Sequence, residues 1–106
     1  MNRSELIGHV STDVETKFIN DKQLANFMIA ESHRGKTNFI RVSAWGEAAK
    51  IASFLNKGDH VFIEGRLQCR IVNETSVKKE VVEIVAWTIL KIDRSHLDSR
   101  GDDSDR

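Results

Sequence analysis

Two stretches of this chain alternate so regularly that few folds remain open to it. From Thr37 to Trp45, the residues Asn38, Ile40, Val42 and Ala44 take one side, and Thr37, Phe39, Arg41, Ser43 and Trp45 take the other. From His60 to Val72, the residues Val61, Ile63, Gly65, Leu67, Cys69 and Ile71 take one side. Phe62, Glu64, Arg66, Gln68, Arg70 and Val72 take the opposite one. A period of two belongs to the β-strand, whose successive side chains point to opposite faces. Each stretch therefore offers an apolar face to a core and a second face to something else. Between them the period turns helical once. Ala48, Ile51, Ala52 and Leu55 form an apolar stripe over Glu47 to Leu55. Asn56-Lys57-Gly58 ends it, with a glycine that permits a left-handed cap.

The rest of the chain follows the strand pattern. Leu6 to Val10 and Thr16 to Ile19 are short β-like runs, and Asn20-Asp21-Lys22 reads as a turn. Leu24 to Ala30 is a strand with Ala25, Phe27 and Ile29 on one face. Glu31 to Lys36 and Asn73 to Lys78 read as polar loops, and Lys79 to Ile92 as the last strand. Gly65, in mid-strand, marks a bend or bulge of the kind a barrel corner requires. The order predicts an all-β domain with one short helix, a five-stranded Greek-key barrel of the OB-fold type over residues 1–92. Residues 93–106 are polar and acidic and are expected to form a disordered tail.

Bulk properties narrow the function. A chain of 106 residues makes one domain. It has no apolar stretch of membrane-spanning length and no signal-peptide pattern, so no membrane partner is expected. The lone Cys69 forms no internal disulfide, which suits a reducing cytoplasm, and its alternation with Leu67 and Ile71 predicts burial. Formal net charge is +0. The tail holds five acids and three bases, which leaves +2 on the domain. A charge this small suits a polyanion only if the bases cluster on one face. Four histidines lack metal-ligand spacing, and no phosphate loop or catalytic constellation is present. Neither enzymatic activity nor any cofactor or metal is expected.

The second faces carry the functional signal. Phe39, Arg41 and Trp45 on one strand, and Phe62, Arg66 and Arg70 on the other, mix aromatics with arginine. Aromatic rings can stack on any base, and arginine contacts phosphate, which is the pattern of a single-strand binder. The same aromatics would also suit a second core or an oligomer interface. His33, Arg34 and Lys36 in the polar loop, and Lys57 after the helix, are further candidate contacts. Trp87 reads as a core or interface residue.

The ordered series of motifs resembles the bacterial-type single-stranded DNA-binding protein family. Leu6-Ile7-Gly8 with Asp13-Val14-Glu15, Leu24 to Ala30, Thr37 to Val42 with Trp45-Gly46, Ala49 to Leu55, Lys57-Gly58-Asp59, Ile63 to Leu67 and Glu83 to Ala86 carry the resemblance. It implies an OB-fold homo-oligomer, tetramer before dimer, that protects single-stranded DNA in replication, recombination and repair. It also implies a cytoplasmic, nucleoid-associated setting in a bacterium, or a phage or plasmid source. By the same resemblance Phe39 and Trp45 stack on bases, and Arg41 and Lys57 are basic contacts. His33 falls where some members have a stacking tryptophan. Glu47 stands where members often have lysine, and Val72 where some have tryptophan. The chain's last residues are acidic but lack the apolar tip that recruits partner proteins in the family. An OB-fold protein-interaction or primosome-type accessory module with weak nucleic-acid binding is the alternative reading, followed by an RNA or oligosaccharide binder.

Overall fold

The computed structural model describes residues 1–92; the tail expected at 93–106 lies outside the described residues. Strand β1 (Ser4–Val10) is followed by β2 (Glu15–Ile19), β3 (Lys22–His33) and β4 (Lys36–Trp45). Helix α1 (Glu47–Ala52) then leads to β5 (His60–Glu74) and β6 (Val77–Lys91). β1 and β2 both run antiparallel to β3, with Val10 opposite Ile29 and Glu15 opposite Asn26. They are two lengths of one barrel strand. At the break, the Ser11 N–H donates to the Met28 carbonyl at 2.8 Å, and the Met28 N–H donates to Thr12 Oγ1 at 3.0 Å. The sheet closes through β1, β5, β6, β4 and β3 back to β1, with β4 and β6 parallel. This is the expected closed five-strand OB barrel with one short helix.

The core lies where the alternation placed it. Ala25, Phe27, Ile29, Val42, Ala44, Val61 and Ile63 are buried together. Gly65 sits at a register shift: Glu64 pairs with Thr88 but Gly65 pairs with Ala86, so Trp87 has no partner on β5. The bulge forecast at Gly65 is present, and it turns Trp87 outward rather than into the core. No helix among the described residues is long and apolar enough to cross a membrane.

Several local expectations need correction. Both polar loops are tight hairpins, because strands continue to two-residue turns at Arg34-Gly35 and Thr75-Ser76. Asn20-Asp21 makes a third. All six residues have positive φ, as type I′ hairpin turns require. The strand ends were hidden because these arms pass beyond the barrel. With no face buried there, the residues next to the turns have no reason to alternate. The helix stops at Ala52 and buries Ala48, Ala49 and Ala52, while Ile51 is exposed. Ile51 lies about 100° around the helix from the centre of that buried trio. Gly58 is left-handed, but in a separate turn, whose N–H donates to the Val10 carbonyl at 2.7 Å. Cys69 is exposed, against expectation. Past Gly65, β5 pairs with β6 alone and leaves the barrel interior, so Leu67, Cys69 and Ile71 lose their cover.

Candidate nucleic-acid interface

The strand register lays out the outer face row by row. Residues directly opposite in a ladder share a face. Met28, Arg41, Glu83 and Gln68 form one row across β3, β4, β6 and β5. Asn26, Ser43, Val85 and Arg66 form the next. Leu24 and Trp45 lie beyond it on one side, and Ala30 and Phe39 on the other. Phe39, Arg41 and Trp45 therefore stand along one strand on one face. Phe39 is 62% exposed and Trp45 39%.

Across these rows lie two adjoining hollows of about 350 and 310 Å³. Arg70 and Glu83 line both, Arg41 the first and Trp45 the second. A smaller one of about 190 Å³ brings Arg41, Arg70 and Lys79 around Val72 and Val81. The charge is thus divided: bases gather toward the arms, whereas Asp13 and Glu15 line the first hollow together with Arg41. Arg70 Nε donates to Glu83 Oε1 at 3.2 Å, and Ser43 Oγ donates to Glu83 Oε2 at 3.3 Å. Among the described residues no carboxylate comes within ion-pair distance of Arg41.

The other candidates are placed differently. His33 and Lys36 pair across the tip of the β3–β4 arm, on the face opposite Phe39, with Arg34 in the turn between them. Ser32 and Thr37 hydroxyls meet at 3.0 Å beside that tip and stiffen it. Lys57 is exposed on the turn tied to β1 and lines none of the three hollows. Phe62 is half-buried, with Ile7 opposite it on β1 and Leu90 opposite it on β6. It belongs to an apolar row between β1 and β6 and lines none of the three hollows that hold Arg41 and Arg70.

Sequence reasoning passed over Glu83, Lys17, Lys79 and Asn26 as members of this face and placed Gln68 on it without a role. Glu83 had a signal. It is a carboxylate inside the apolar run Val81 to Ala86, where burial demands a partner. The others are polar residues on strands and carried none.

Comparison with known proteins agrees with this geometry. The model of the single-strand binding protein family matches residues 1–92. The chain is 38% identical over 98 residues to single-stranded DNA-binding protein 1 of Chlorobaculum tepidum, covering 80% of this chain and 60% of that protein. It is 34% identical over 93 residues to a single-stranded DNA-binding protein of Paenarthrobacter aurescens, covering 74% of this chain and 54% of that one. A single-stranded DNA-binding protein of Onion yellows phytoplasma is 26% identical over 102 residues, covering 91% and 98%. The chain spans little more than half the length of the first and second of these. With a closed OB barrel and a family match over its whole described length, the chain belongs to the single-strand binding protein family.

Proposed function

We propose that this protein binds single-stranded DNA without sequence preference along the outer face of β4, β6 and β5. The observation that carries this reading is the exposure of Phe39 and Trp45 on the strand face that also holds the unpaired Arg41. Bases stack on the two rings, Arg41, Arg66 and Lys79 meet the phosphates, and Arg70 stands beside them paired to Glu83. The arm residues His33, Arg34 and Lys36 extend the path, and Lys57 meets strand that wraps the barrel end. Such binding protects single strands in replication, recombination and repair. Self-association, as a tetramer or a dimer, uses the row in which exposed Ile7 and Leu90 flank half-buried Phe62, an apolar strip that a lone barrel leaves partly in water.

The test is the anisotropy of a labelled oligothymidylate with wild type and Phe39→Ala across a salt series. Phosphate-driven binding weakens steeply as salt rises. Loss of one stacking ring costs roughly 1–3 kcal/mol, so affinity should fall at least about fivefold. A variant that melts like wild type and binds as tightly removes Phe39 from the site. A protein-interaction role on the same face is the competing reading, favoured by Asp13, Glu15 and Glu83 along the hollows. Salt-insensitive capture of a protein partner, with no oligonucleotide binding at low salt, would establish it instead.

A further inference from the structure

Ser43 and Glu83 are the only buried polar residues among those described, and they touch each other on the face proposed to meet DNA. Glu83 is 5% exposed, sits opposite Arg41 on one side and Gln68 on the other, and lines both larger hollows. A carboxylate in the floor of a polyanion site opposes the phosphates. A burial this deep also costs free energy unless the charge is partnered. Its partner is Arg70, whose Nε it holds at 3.2 Å while the side chain stays 47% exposed.

Resting on the single-strand reading above, we propose that Glu83 is an affinity-setting residue. Its charge offsets that of Arg70, orders that arginine before the strand arrives, and holds the affinity below what the groove could reach. The arginines would otherwise repel each other across the face, since both line the same hollows. With Glu83 opposite Arg41 and paired to Arg70, these three side chains together carry the net charge of one arginine, and that charge is effectively Arg41's. Phosphates are therefore bound by fewer uncompensated bases than the face displays, which favours fast release.

Glu83→Gln separates charge from shape. The amide oxygen can still accept from Arg70 Nε, and the Ser43 hydroxyl can turn to accept from the amide N–H. Oligothymidylate titrations from low to moderate salt should show the variant binding about threefold to tenfold tighter at ~0.1 M salt, the scale of removing one opposing charge from a partly screened polyanion site. The slope of log affinity against log salt should steepen by about 0.7, the value of one added phosphate contact on a single strand. Glu80→Gln is the control, because Glu80 is exposed on the opposite face of the same arm. It should change affinity by less than about twofold at ~0.1 M salt.

A second variant covers the case in which Glu83→Gln does not fold. Replacing both members, Arg70→Met with Glu83→Met, removes a neutral pair and leaves an apolar one, an exchange that buried pairs commonly tolerate. Its salt slope should match wild type. A slope shallower by about 0.7 would make Arg70 an independent phosphate ligand and overturn the proposal. So would a folded Glu83→Gln that binds no tighter than wild type, or an equal gain in Glu80→Gln. Wild type that binds while Glu83→Gln gains nothing defeats this inference alone. Binding by Glu83→Gln with none by wild type supports it in its strongest form. Failure of wild type and every variant to bind overturns both it and the single-strand reading, and failure of the folded variants alone overturns this inference.

Discussion

Gly65 lies so close to β6 that a Cβ built on it would stand 2.8 Å from the Ala86 Cα, with the Val85 carbonyl oxygen nearer still. Both obstacles are backbone, so neither can swing away. This approach is what the bulge accomplishes: Gly65 opposite Ala86, with Trp87 pushed out of register, lets β5 coil from the β1 side of the barrel to the arm.

Gly65→Ala should therefore destabilise the fold by more than about 3 kcal/mol, the scale of severe overpacking and strain. Gly35→Ala is the comparison. Gly35 is left-handed at φ 80° but has nothing near its Cβ position, so the cost should be about 1–2 kcal/mol of backbone strain. Urea unfolding of both variants measures the difference. Equal midpoints would mean that the close approach carries no energy.

Both tryptophans are exposed, Trp45 at 39% and Trp87 at 51%, so exposure alone does not say which would report on DNA. Position does. Trp45 lines a hollow with Arg70 and Glu83, whereas Trp87 lines none of the three hollows. Fluorescence quenching by oligothymidylate should survive in Trp87→Phe and largely vanish in Trp45→Phe. The reverse pattern would move the strand's path to the bulge side of the barrel.

The barrel was legible wherever one face of a strand is buried. Ala25, Phe27 and Ile29, and likewise Val42 and Ala44, alternate because the interior enforces it. Legibility ended at Gly65. Leu67, Cys69 and Ile71 continue the apolar alternation on an arm whose inner face has no interior to meet, so pattern alone could not show their exposure. The candidate site was legible in part for a related reason. Phe39, Arg41 and Trp45 share one strand, and alternation groups them without knowledge of the fold. Relating Phe62 to Arg70 required knowing that β5 coils between them. Finding Arg70 beside Glu83 required knowing that β6 lies between β5 and β4.

Ile7, Phe62 and Leu90 form a cross-strand row on β1, β5 and β6, with Ile7 53% and Leu90 58% exposed. If this row holds subunits together, Leu90→Lys places a charge in the interface and should lower the mass seen by sedimentation. Leu90 is exposed in the single barrel, so the stability of the folded unit should change by no more than about 0.5 kcal/mol. An unchanged mass excludes Leu90 from the contact between copies.

Cys69 stands opposite Val82 on the β5–β6 arm, between exposed Leu67 and Ile71. Its alternation would have buried it had the strand stayed in the barrel, and a buried thiol reacts only when the protein opens. In the folded barrel it is open to solvent instead. A disulfide reagent should therefore modify about one thiol per chain under native conditions, at a rate within roughly tenfold of the urea-unfolded protein. Labelling slower by several orders of magnitude would show that the arm's apolar face is covered in solution. The interaction that covers it could then be followed by the protection of this one sulfur.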